Sequence, residues 1–207
     1  MNRGFDEPKM ERTCSIRDQI NEYFDASNAL GAHFGRSENA DAYAAHYTSK
    51  YLVQDTGEAI WSHMRRGFST DPMLAYIEFW GVLQACVIHQ DAILELNLSI
   101  TGRRADTSSL KSWKELRNLR NQCAGHPANR SHGVSGVQRA FLGRMFGSYD
   151  RIQFEVWDSS TQSTSFPRIN LRQMIDEYDV EASQILQDAL DFMKSKWKKI
   201  KESPTMG

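Results

Sequence analysis

Arg120, Asn121 and His126 lie close together in the run WKELRNLRNQCAGHP, residues 113–127. A guanidinium is a permanent cation whose planar fork suits phosphate and carboxylate oxygens. An imidazole changes charge near neutral pH. A carboxamide both donates and accepts hydrogen bonds. This combination can bind an anion and move a proton beside it. The spacing raises a geometric problem, because positions six apart on a straight α-helix do not share a face. Gly125 permits a break, and Pro127 pushes the residue before it away from helical geometry. His126 is therefore expected at a helix exit, turned back toward Arg120 and Asn121. Arg117, one turn earlier, lies near the same face, and Arg117 and Arg130 are the candidates for additional substrate contacts. The simpler alternative is that Arg120 and His126 only cap the helix C-terminus, where cations meet the negative end of the helix dipole.

The elements that must hold these residues are mostly helical. Residues 1–13 read as a loose tail, 14–31 as a short helix, and GAHFGRSENADA as a connector. A second helix is expected from about Ala40 to Arg66, with Gly57 weakening its middle. The third is the clearest: Asp71 suits an N-cap, Pro72 the first helical position, and Gly102 the end. Leu74, Ile77, Trp80, Leu83, Val87 and Ile93 cover more than one of its faces, as in a helix central to a bundle. Ser112 and Glu115 suggest a capping box for the motif helix, which Gly125 and Pro127 stop.

Residues 128–148, rich in Gly, Ser and Arg, read as a loop with a possible helical turn at 137–146. In RIQFEVW, Ile152, Phe154 and Val156 alternate with polar partners, the pattern of a half-buried strand. A polar run and SFPRINL follow, giving a β-hairpin over 150–170. Asn170 with Gln173 starts the last helix. The expected architecture is mainly α: a single domain over 1–207, an up-and-down helical bundle with a loop and small β-hairpin inserted at 128–169.

The motif resembles that of the HEPN superfamily: Arg, a polar residue, then His after four to six intervening residues from the Arg. In that family it closes the third main helix of a bundle, after a strongly apolar central helix, and the order of elements over about 40–127 and 170–202 is similar. The resemblance implies a metal-independent ribonuclease that needs no cofactor and works as a homodimer, with two motifs facing across a two-fold axis. It implies that the RNA 2′-hydroxyl attacks the adjacent phosphate, that His126 assists proton transfer, that Arg120 stabilises the transition-state charge, and that Asn121 orients His126 or donates to phosphate. It also implies a role as a toxin or defence effector, with an antitoxin protein as a possible partner. One departure concerns the HEPN toxins paired with nucleotidyltransferase antitoxins. They carry Tyr two residues after the His, where this chain has Ala128. The alternative within the same resemblance is a non-catalytic module that binds RNA, a nucleotide or a partner protein.

Charge is unevenly spread. The net charge is −1, yet between Arg103 and Arg151 ten arginines and lysines face three carboxylates. Such a segment attracts phosphate although the whole chain is nearly neutral. A solvated loop with scattered arginines has the same composition. The apolar stretch at 79–88 is too short for a membrane span, which needs about 20 residues. Three widely spaced cysteines form no disulfide framework, so a cytoplasmic, non-membrane protein is expected.

Cys86 with His89 and Cys123 with His126 have a Cys-x-x-His spacing, but mid-helix placement favours small buried hydrophobes over zinc ligands. Gln84, His89, Gln90 and Asp91 are read as a solvated stripe rather than support for the site. The lysines of KSKWKKIKES are read as an exposed helix end, and Trp80, Trp113 and Trp197 as core or interface anchors.

Overall fold

A computed structural model describes residues 10–27, 30–35, 39–131 and 136–197. The described residues form five α-helices: α1 Glu11–Ala26, α2 Ala40–Arg66, α3 Pro72–Thr101, α4 Lys111–Arg120 and α5 Leu171–Lys196. Short π-helical turns occupy Leu30–Phe34 and Asn121–Gly125. The protein is mainly helical with a small antiparallel sheet.

Side-chain contacts fix the helix directions. From α2 to α3, His46 meets Ser99 and His63 meets Glu78, so the pair is antiparallel. From α3 to α4, Gln90 meets the Trp113 carbonyl and Gln84 meets Arg120, again antiparallel. From α1 to α5, Thr13 meets Asp179 and Tyr23 meets Trp197, so these two run parallel. The core between them holds Ile20, Ile60, Phe79, Leu83, Ile93, Leu116, Tyr178 and Leu186.

The caps explain several boundaries. Asp71 accepts from the backbone N–H of Met73 and Leu74, and Gly102 closes α3 in the left-handed region at φ 69°. Asn170 accepts from Gln173 N–H. The expected Ser112–Glu115 capping box does not form. Instead, Glu181 of α5 accepts from the N–H groups of Ser112 and Trp113, and Glu177 accepts from the Ser112 hydroxyl. The start of α1 is held likewise: Asp179 accepts from Arg12 N–H, Thr13 N–H and the Thr13 hydroxyl. Residues 11–13 are thus helical, not tail, and Thr13 is buried. The rest of the expected tail, 1–9, lies outside the described residues. Gly57 does not interrupt α2. A Cβ there would lie 3.5 Å from His89 Nε2 and 3.8 Å from Cys14 Sγ, ordinary contact distances, so the position is packed but would admit an alanine.

Between α4 and α5 the described residues form seven short strands: β1 Arg130–Ser131, β2 Val137–Phe141, β3 Gly147–Ser148, β4 Arg151–Gln153, β5 Glu155–Asp158, β6 Ser163–Ser165 and β7 Arg168–Ile169. The expected hairpin is β4–β5 against β6–β7 in one continuous register, Ile152 opposite Ile169 and Val156 opposite Ser165. Ile152, Phe154 and Val156 are buried, as the alternation requires. Among the described residues of 128–148 the expected helical turn does not form, and the expected loop is interrupted by short strands. Val137–Phe141 is a strand paired with β5, and Gly147–Ser148 pairs with β4. The insertion is pinned to the bundle by Tyr149, whose hydroxyl lies 2.7 Å from His63 Nδ1 and whose ring stacks on Phe68 at 4.6 Å.

The first turns of α3 depart from the expected central position. Met73, Leu74, Ile77 and Trp80 are exposed while Ala75 and Phe79 are buried, and from Val82 onward all but Asp91 and Glu95 of the apolar-rich stretch to Ile100 are buried or half-buried. Trp113 and Trp197 are buried anchors. Of the terminal lysine run, only Lys194–Trp197 is described.

Candidate functional site at the exit of the motif helix

The motif sits where α4 changes its winding. The α-helix ends at Arg120, and residues Asn121–Gly125 continue as a π-helical turn. His126 N–H donates to the Asn121 carbonyl at 2.8 Å, closing a turn one residue wider than α-helical. That wider turn sets the His126 backbone one turn beyond Asn121 and leaves Gly125 against the Arg120 guanidinium. Isolated π turns of this kind occur preferentially at functional sites. His126 then leaves helical geometry at φ −135°, ψ 51°, ahead of Pro127, and is exposed.

Arg120 is held from two sides. Its Nε and one terminal nitrogen donate to Gln84 Oε1 of α3, at 3.0 and 2.9 Å. Its other terminal nitrogen donates to Asn121 Oδ1 at 3.0 Å. A guanidinium has five N–H groups, and these bonds engage three, leaving one on each terminal nitrogen. Both partners are neutral amides, so neither offsets the charge. Gly125 packs against the guanidinium: a Cβ there would lie 2.9 Å from a terminal nitrogen.

The other basic candidates differ. Arg117 makes an ion pair with Asp91 of α3, so its charge is already answered by a carboxylate. Arg130 of β1 reaches back to Asn118, 3.4 Å from its carbonyl and 3.3 Å from its Oδ1. Arg117 and Arg120 thus cross to the same helix, while Arg130 turns to another side of α4.

The stripe on α3 is not solvated as expected. Gln84 is half-buried under Arg120, and Asp91 holds Arg117, although Asp91 itself is exposed. Gln90 is buried, with its amide donating to the Trp113 carbonyl at 3.0 Å. His89 is buried, its Nδ1 2.6 Å from the Tyr178 hydroxyl, and burial pushes its pKa down to about 3. Apart from Asp91, polar residues on so apolar a helix mark the places where a neighbour must be gripped. Gln84 is the site residue that periodicity gave least reason to single out. Its signal was an amide interrupting FWGVLQACVI.

Cys86 and Cys123 are buried, and burial pushes both thiols up to about 12. They act as small apolar side chains. Among the described residues no group of three or more His, Cys, Asp or Glu side chains is placed to hold a metal ion, and no helix is long and apolar enough to cross a membrane. Compared with known proteins, the chain matches no family model, no curated protein and no solved structure.

Proposed function

We propose that this protein is a metal-independent endoribonuclease of the HEPN type, working through Arg120, Asn121 and His126. The observation that carries the reading is the state of Arg120. Its cation is held by two neutral amides and keeps two N–H groups for a ligand, and an exposed histidine follows at the exit of the same turn. A helix cap would direct those N–H groups to the last carbonyls of α4.

In this reading the 2′-hydroxyl of RNA attacks the adjacent phosphorus, and the 5′-oxygen of the next nucleotide leaves. The attacking hydroxyl loses a proton and the leaving oxygen gains one, giving a 2′,3′-cyclic phosphate and a 5′-hydroxyl. His126 transfers a proton in this exchange. Arg120 meets the charge that builds on the non-bridging oxygens. Asn121 fixes the guanidinium; Arg117, paired with Asp91, and Arg130, turned to Asn118, are not among the groups this reading needs at the reacting phosphate.

A homodimer completes the site. Met73, Ile77 and Trp80 share one exposed face of α3 with Gln84, and a second copy seated on that apolar stripe would bring two Arg120–His126 sets together. The antitoxin or defence context belongs to the same reading and adds no residue to it.

The test is cleavage of a mixed RNA pool in excess chelator, with His126→Ala purified in parallel and product ends identified. Cleavage by the native protein alone, with 2′,3′-cyclic phosphate ends, is expected. Equal cleavage by both proteins would defeat the proposal. Salt-sensitive RNA binding without cleavage, weakened by Arg120→Ala, would assign the same site to a binding module.

A further inference from the structure

The sheet inserted beside the motif has one face turned away from the bundle. Strand alternation puts Val137, Arg139 and Phe141 of β2 on that face, with Glu155 and Trp157 of β5. Across β6, Thr164 lies opposite Trp157, and the next residue on that face is Phe166. The opposite face, with Ala140 and Val156, turns toward α4 and α5.

The outer face therefore carries two rows. One is Phe141, Glu155 and Phe166; the other is Arg139, Trp157 and Thr164. Phe141 is 64% and Phe166 59% exposed, and with Met145, 94% exposed, they wall a groove of about 360 Å³. The Arg139 guanidinium lies over the Trp157 ring, 5.2 Å from its centroid. Three aromatic rings interleaved with a cation on an open antiparallel sheet are expensive to leave in water.

This face is joined to the motif. Pro127, the residue after His126, accepts through its carbonyl from Ala140 N–H at 2.8 Å, and Ala140 stands between Arg139 and Phe141. The backbone that follows His126 is thus tied to β2 between Arg139 and Phe141.

The geometry points to a stacking platform for single-stranded RNA, an inference that rests on RNA being the substrate of the Arg120–His126 site. Unpaired bases stack on aromatic rings and on arginine planes, whereas the bases of a duplex are not free to do so. Arg139 supplies the charge complementary to the backbone. Glu155 keeps phosphates off the phenylalanine row and can accept from an exocyclic base amine. The occupant is thereby oriented, with bases over Phe141 and Phe166 and phosphates toward Arg139.

The experiment uses the full chain carrying His126→Ala, so that RNA is bound and not consumed, with fluorescein-labelled oligocytidine and anisotropy as readout. Phe141→Ala with Phe166→Ala is expected to weaken binding by about ten-fold or more, while affinity for duplex RNA changes little. Arg139→Ala is expected to weaken binding and lower the salt dependence by about one ion. Both phenylalanines are exposed, so the variants should keep the unfolding midpoint of the parent.

Unchanged oligocytidine affinity in the double variant overturns the platform, even if the native protein cleaves RNA. Loss of self-association in sedimentation, with RNA affinity intact, also overturns it and makes the face a protein contact. No oligocytidine binding by the parent overturns it as well. A platform effect in a protein that does not cleave RNA upholds the platform and removes the nuclease reading.

Discussion

Gly125→Ala separates a working Arg120 from a merely structural one. The glycine is not in a left-handed conformation, so alanine meets no backbone strain there. Its Cβ would sit 2.9 Å from a terminal nitrogen of Arg120, inside normal contact, and the guanidinium is the part free to yield. A retreat of about half an ångström stretches the 3.0 Å bond to Asn121 and rotates the two remaining N–H groups off their direction. Misplacement of about 1 Å can cost about 100-fold in rate, so a loss of about 10- to 100-fold in kcat/KM is expected. Stability should move the other way or not at all, because alanine favours helix over glycine by up to about 1 kcal/mol and restricts the unfolded chain. The assay pairs single-turnover cleavage of a labelled RNA in chelator with denaturant unfolding of the same preparation. Unchanged kcat/KM in a variant of equal or greater stability would refute the claim that Arg120 acts from the position described.

Three further outcomes follow from the structure. Gln84→Ala removes the acceptor of two Arg120 hydrogen bonds at a half-buried position; cleavage should fall by about ten-fold or more with little change in unfolding, and an unchanged rate would count against it. Asp179→Ala strands the N–H groups of Arg12 and Thr13, and should cost about 2–3 kcal/mol in urea unfolding; a loss under about 0.5 kcal/mol would show that α1 does not depend on this cap. His46 and His89 are buried, and burial pushes them down to about 4 and about 3, so they stay neutral in the native state while the unfolded chain protonates near pH 6.5. The unfolded state then binds more protons, so stability is complete above about pH 6.5 and falls toward pH 4, by up to about 1.4 kcal/mol per pH unit for each histidine. Unfolding free energies at several pH values should show this slope, and His46→Phe should flatten it.

Local signals in the sequence located much of the fold. Asp71, Gly102 and Asn170 act on residues within a few positions of themselves, so their caps were readable from the chain. The alternation in RIQFEVW likewise reports one buried face and predicts its hairpin. What was not readable depends on distant partners. Ser112 and Glu115 have the spacing of a capping box, but carboxylates of α5 reach the N–H groups of α4 first. Val137–Phe141 has too short an alternation to stand out among glycines, and becomes a strand because β5 offers it an open edge. Arg120, Asn121 and His126 stood out in the sequence as a candidate set, and the helix exit at His126 followed from Gly125 and Pro127. The π turn at that exit, and the grip of Gln84 on Arg120, were not readable from spacing alone.

The tertiary caps also set an order of assembly during synthesis. The α-helical part of α4 is ten residues long, below the roughly 12–15 residues at which an isolated helix becomes even marginal in water. Its first N–H groups are satisfied by Glu181, and those of α1 by Asp179, residues translated well after both helices. On a ribosome the chain therefore passes through a stage in which Arg120 and His126 exist but have no fixed geometry. Under the proposed ribonuclease reading this arrangement would supply a delay, because α4 gains its N-terminal partners only when the last helix docks.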